Sequence, residues 1–215
     1  CFGDKYANKN VNLTLYHGEI LAILGENGSG KTSMVNMVAG IYYPDEGEIF
    51  VDGKPAVITS PKDAFQYKIG MIHQHFKLVD VFTATENIVL GLNEKPYDLK
   101  KFSQRVREIC NLYGFEIDPD KKIYDMSVSE KQTVEIIKVL YRGADILILD
   151  EPLSGVDVEG MQSLMDMLDE IRKTYDLSIL MTTHDFATLP RYADQVVLID
   201  HRVLRLGPPR EVLES

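Results

Sequence analysis

The chain has 215 residues, 45% hydrophobic and 26% charged, which suits one packed domain with room for an inserted subdomain. Its formal net charge of −10 argues against nucleic acid as a partner, since a broad nucleic-acid face carries a basic patch, but leaves room for a local site for one small anion. No apolar run reaches the roughly 18 residues that a membrane span needs, and Cys1 and Cys110 set up no disulfide framework, so a reducing, cytosolic setting is the default.

In chain order, "EILAILG" (19–25) opens a series of apolar, β-branched runs. It continues with "KIGMIH" (68–73), "DILILDEP" (145–152), "LSILMTTH" (177–184) and "QVVLID" (195–200). The central runs are nearly continuous in apolar character, as strands buried on both faces of a parallel sheet are. Helical patterns fall at 31–39, 101–113, 130–142 and 158–174. Strands alternating with helices predict an α/β fold with a mostly parallel sheet. The segment 41–57 has turn signals at Pro44, Gly47 and Asp52-Gly53, which predict a small antiparallel β patch. The stretch from about 78 to 142 holds helical segments and no convincing strand, so it is expected to be an inserted helical subdomain.

"GENGSGKT" (25–32) fits the phosphate-loop pattern G-x-x-x-x-G-K-[ST], with a strand before it and a helix after it. Gly25, Gly28 and Gly30 let the backbone curl so that its N–H groups face phosphates. The helix N-terminus lies under the same anion. Lys31 is expected to reach the β- and γ-phosphates, and the Thr32 hydroxyl to ligate Mg²⁺. The rest of the loop, Glu26, Asn27 and Ser29, and the following Ser33 complete the expected nucleotide contact. "ILILDEP" ends a buried strand with Asp150 and Glu151. Ligands of parallel sheets bind at the carboxyl ends of strands. Asp150 can there hold Mg²⁺ through water, and Glu151 can polarise an attacking water.

"MSVSEKQ" (126–132) precedes an amphipathic helix with Val134, Ile137 and Tyr141 at helical spacing. Ser127-x-x-Glu130 and Ser129-x-x-Gln132 both fit a capping box.

With these pieces in place, the chain resembles the nucleotide-binding domain of an ABC transporter, a P-loop NTPase. The resemblance covers essentially the whole chain, 1–215, with the core at about 1–77 and 143–215 and the helical subdomain at about 78–142. Gln74 in "HQHF" matches the family's Q-loop glutamine, His184 in "LMTTHD" its switch histidine and Asp157 in "LSGVD" its D-loop aspartate. Phe2, 29 positions before Lys31, matches the aromatic that stacks on adenine, though a core aromatic near the chain end is an equal reading. The resemblance implies ATP and Mg²⁺ as ligands. It implies two such domains meeting head to tail, in one chain or as a homodimer, with transmembrane permease subunits as further partners. Gln74 would touch Mg²⁺ or the water, and His184 the γ-phosphate. The location implied is the cytoplasmic face of the membrane.

The family signature is roughly L-S-x-G-[QE]; this chain has Met126, Ser127, Val128, Ser129 and Glu130. Ser127 would donate to the γ-phosphate of the opposing ATP. Ser129 replaces the glycine that permits positive φ and close backbone approach. A weakened signature beside an intact phosphate loop implies an asymmetric pair with one good and one poor ATP site. The segments 70–91 and 138–152 look like the subfamily that energises uptake of nucleosides and simple sugars, whose ATP-binding proteins commonly carry two such domains. The resemblance then implies that this chain is the first of the two, an expectation that fits the Cys1 start and the altered signature. Three rivals remain: a soluble ABC-type ATPase acting on DNA or ribosomes, a non-hydrolysing regulatory module, and another P-loop class such as a kinase.

Overall fold

The computed structural model describes residues 6–73, 77–92, 97–152, 158–184 and 189–213. The chain runs through β1 (Ile20–Leu24), α1 (Lys31–Val38), the hairpin β2 (Ile49–Val51) and β3 (Lys54–Ala56), α2 (Pro61–Gln66) and β4 (Ile69–Ile72). Helices α3 (Ala84–Val89) and α4 (Leu99–Tyr113), a 3-10 turn at Ile123–Asp125 and α5 (Val128–Tyr141) follow. The sheet then resumes with β5 (Ile146–Asp150), α6 (Val158–Tyr175), β6 (Ser178–Thr183), α7 (Leu189–Tyr192), β7 (Gln195–Ile199), β8 (Val203–Gly207) and α8 (Pro209–Leu213).

The main sheet has the order β4-β5-β6-β1-β7-β8, and every neighbouring pair is parallel except β7-β8. The first strand in sequence therefore lies inside the sheet, between β6 and β7. Its five residues are all buried, and they divide by parity. Ile20, Ala22 and Leu24 join a core with α5 and α6; Leu21 and Ile23 join a second core with α1 and the β2-β3 hairpin. That division is the period-2 alternation of a strand covered on both faces.

The five expected strands are all present, each shorter than its apolar run. The antiparallel patch at 41–57 is the two-stranded β2-β3 sheet. The interval 78–142 holds α3, α4 and α5, and its only β feature among the described residues is an isolated bridge between Thr83 and Lys122. Strand β8 escaped the sequence reading because Leu204 and Leu206 are exposed, so no buried run marks it. Helix α3 escaped because six residues are too few for periodicity. Its capping box, Thr83 with Glu86, was the available signal.

Strand β4 touches α5 through Gly70. A Cβ there would overlap Val139 Cγ1 and crowd the Ala144 Cβ at 3.1 Å. Gly70→Ala should therefore destabilise the protein by about 1–3 kcal/mol in urea unfolding. Added Val139→Ala should recover part of that loss as a favourable coupling in a double-mutant cycle.

Candidate nucleotide-binding site

The loop at 25–30 links the end of β1 to the start of α1. Gly30 is the α1 N-cap, with φ 98°. A side chain there would be strained and would also run into the Ala7 carbonyl. No side chain caps α1, so the first-turn N–H groups are left to serve an anion. Lys31 is buried, and its Nζ donates to the carbonyls of Gly25 at 2.8 Å and Glu26 at 3.1 Å. The ammonium thus sits within the arch of the loop. From behind, the His201 N–H donates to the Ser29 carbonyl at 2.8 Å, and Asn8 Nδ2 donates to the Gly30 carbonyl at 3.1 Å.

Parallel pairing carries β5 and β6 to the same end of the sheet. Leu24 is in register with Thr183, and Asp150 with Thr182. Thr182, fully buried, donates its hydroxyl to Asp150 Oδ1 at 2.8 Å and accepts the Glu151 N–H at 2.9 Å. Thr32 Oγ1 donates to the same Asp150 Oδ1 at 3.2 Å. Glu151 adopts a left-handed backbone, φ 49°, a strain of about 1–3 kcal/mol in a residue other than glycine. The turn sets its carboxylate between two partners: Oε1 lies 3.4 Å from Lys31 Nζ, and Oε2 lies 2.8 Å from His184 Nδ1. Lys31, Thr32, Asp150, Glu151 and His184 therefore form one cluster. Thr182 is the member that sequence reasoning missed. A threonine inside "LMTTH" looks like any β-branched strand residue, and only strand order reveals its partner.

Uncapped helix amides with a buried ammonium suit a polyphosphate. The Thr32 hydroxyl and the Asp150 carboxylate are hard oxygen donors that suit Mg²⁺. Among the described residues no group of three or more His, Cys, Asp or Glu side chains forms a metal cage. At the end of β4, burial, ahead of the Lys77 ammonium, pushes the His73 imidazole below its ordinary value. Gln74, Phe2 and Asp157 lie outside the described residues.

The segment 126–132 resolves the choice between its two serines. Ser127 is the α5 N-cap: its Oγ accepts the Glu130 N–H at 3.2 Å, and Glu130 Oε2 accepts the Ser127 N–H at 2.7 Å. Ser129 lies inside the first helical turn, exposed, with its carbonyl accepting from Thr133 Oγ1 at 3.1 Å. One expectation is corrected here. Ser129 is helical and is absent from the positive-φ residues, so this position does not require the backbone freedom of glycine. Bulk is what distinguishes serine from glycine there. Further along α5, Gln132 Nε2 donates to the Pro152 carbonyl at 2.9 Å, and Glu135 Oε1 accepts the Lys77 N–H at 2.7 Å. The helix is thus fastened both to the turn after Glu151 and to the chain beyond β4.

Residues 8–154 match the family model for ABC transporters. The chain belongs to the ABC transporter family. It is 46% identical, over 92% of its length, to the nucleoside import ATP-binding protein NupA of Lactococcus lactis subsp. cremoris, covering 40% of that protein. It is also 46% identical, over 78% of its length, to the guanosine import ATP-binding protein NupO of Bacillus subtilis, covering 33% of that protein. The chain therefore spans well under half the length of these ABC relatives. Among solved structures, cbiO1 of Clostridium perfringens, part of the ABC transporter complex cbiONQ, superposes with a TM-score of 0.87 at 31% identity. That match covers 100% of this chain and 87% of the other. A bacterial ABC transporter cassette solved as a dimer matches with a TM-score of 0.80 at 26% identity, covering 97% of this chain and 94% of that one. The sheet is that of a P-loop NTPase, as the motifs led one to expect.

Because Thr182 satisfies both Asp150 and the Glu151 amide, Thr182→Val should cost about 1–3 kcal/mol in urea unfolding, while Thr182→Ser stays close to the native midpoint.

Proposed function

We propose that this chain binds and hydrolyses Mg-ATP as one of two head-to-tail domains that energise an importer of nucleosides or, as the runner-up, simple sugars. The observation that carries the reading is the meeting of Lys31, Thr32, Asp150, Glu151 and His184 at one end of the sheet. The nucleoside reading leans on the two relatives at 46% identity, whose names state nucleoside and guanosine import. The same likeness supports permease subunits as partners and a place on the cytoplasmic face of the membrane. None of the helices among the described residues is long and apolar enough to cross a membrane. We also divide the domain into a core at about 1–77 and 143–215 and a helical part at about 78–142, the latter meeting the permease.

In this reading the α1 amides and Lys31 hold the phosphates, with Gly25, Glu26, Asn27, Gly28, Ser29, Gly30 and Ser33 shaping the loop. Thr32 and Asp150 would hold Mg²⁺, with Gln74 beside them; the ion supplies neutralisation of charge on the phosphate oxygens. Glu151 accepts a proton-side hydrogen bond from the attacking water and orients it. His184 positions Glu151 when its Nδ1–H donates to Oε2. To donate to a phosphate from Nε2 as well, the ring must be doubly protonated. Phe2 would stack on the base, and Ser127, Val128, Ser129, Glu130 and Asp157 would meet the partner domain. Ser129 presents a side chain where the family has a hydrogen, so the site it offers the partner is the weaker of the pair.

Mg-ATP turnover at high protein concentration tests this. The native protein should exceed Glu151→Gln, and Ser129→Gly should raise turnover, up to about a hundredfold if serine removes a few kcal/mol of transition-state contact. Native turnover equal to Ser129→Gly would retire the weak-signature claim, and turnover no higher than Glu151→Gln in the intact assembly would retire hydrolysis.

A further inference from the structure

The signature carboxylate has a cationic neighbour. Glu130 closes the capping box on Ser127, so its charge lies beside the hydroxyl that the head-to-tail reading aims at a phosphate. A carboxylate that close to a polyphosphate repels it. Lys121 answers that charge: its Nζ bonds both Glu130 oxygens, at 2.8 and 3.0 Å. The Lys121 ammonium, outweighing burial and helped by the Ser127 N–H, holds the Glu130 carboxyl below its ordinary value, so the group is ionised at neutral pH.

The Lys121 backbone is fixed by both of its polar groups. Its N–H donates to the Asp118 carbonyl at 3.1 Å, and its carbonyl accepts the Ala84 N–H at 3.1 Å from the start of α3. The nearby cations are engaged elsewhere: Lys122 lies 3.3 Å from Glu86, and Lys131 lies 3.8 Å from Asp80. Among the described residues, Lys121 is the cation paired with Glu130.

We propose that Lys121 is an electrostatic positioning residue that neutralises Glu130, so that the α5 N-terminus can approach the partner's ATP. The proposal rests on the head-to-tail reading above. It differs from an ordinary surface strut in the sign of one effect. If the pair only braced the fold, breaking it from either side would weaken ATP use. If the charge balance matters, the two sides act oppositely. Lys121→Met leaves a bare carboxylate near the phosphate. Glu130→Gln keeps the reach back to the Ser127 N–H and leaves a bare ammonium instead.

The test measures KM for Mg-ATP, kcat and urea midpoints in the intact protein, at low and high salt. Lys121→Met should raise KM about three- to tenfold, and Glu130→Gln should lower it by a similar factor, both shrinking in high salt. The double variant should return to within about twofold of native, as cancelling charges require. Both single variants raising KM, or neither changing it, overturns the proposal. A parallel measurement follows ATP-dependent association of the domains in the Glu151→Gln background. If ATP promotes none, the head-to-tail reading fails and the proposal falls with it. If association persists while the two charge variants shift KM in the same direction, only the role of Lys121 is lost.

Discussion

The hydrogen bond between Thr182 and Asp150, 2.8 Å long and inside the sheet, is the interaction on which the site depends. It exists because β6 lies between β5 and β1, although 32 residues of chain separate the two side chains. Through it the acidic turn is held beside the loop that follows β1. An unpaired carboxylate at that depth would be costly. Two hydroxyls, Thr182 and Thr32, stabilise it instead. Among the described residues two hydroxyls, rather than a cation, thereby fix Asp150, a hard oxygen donor at the mouth of the site.

Glu151 is held differently. Its backbone is strained, and its carboxylate is shared between a buried ammonium and an exposed imidazole. A group with two polar partners in a low-dielectric setting has a narrow range of orientations. That restriction suits the orienting of a water. Removal of either partner would leave the remaining charges poorly compensated, so Lys31, Glu151 and His184 are best regarded as one unit.

Helix α5 links this centre to the surface. Its N-terminus carries the capping box, its middle contacts the turn after Glu151 through Gln132, and its inner face receives the chain after β4 through Glu135. A shift of this helix would therefore be felt at the acidic turn and at Lys77 beyond β4. The same helix buries Val134, Ile137 and Tyr141 in the larger core, so its position is set by packing as well as by polar contacts.

Local chemistry fixed much of this in the sequence alone. The glycines and lysine of 25–32, the continuous apolar strands and the Ser127–Glu130 cap all act over a few residues, so their spacing already contains the physics. The sequence left Ser127 and Ser129 as rival caps, and it left open whether Ser129 strains the backbone. Only the folded chain answers, because the helix start depends on where 118–126 is pinned against 80–85. Strand order, the pairing of Thr182 with Asp150, the His184 contact to Glu151 and the Lys121 bridge were equally hidden. None follows from the spacing of motif residues, because these contacts form only when the packed sheet and its helices bring the side chains within hydrogen-bonding reach.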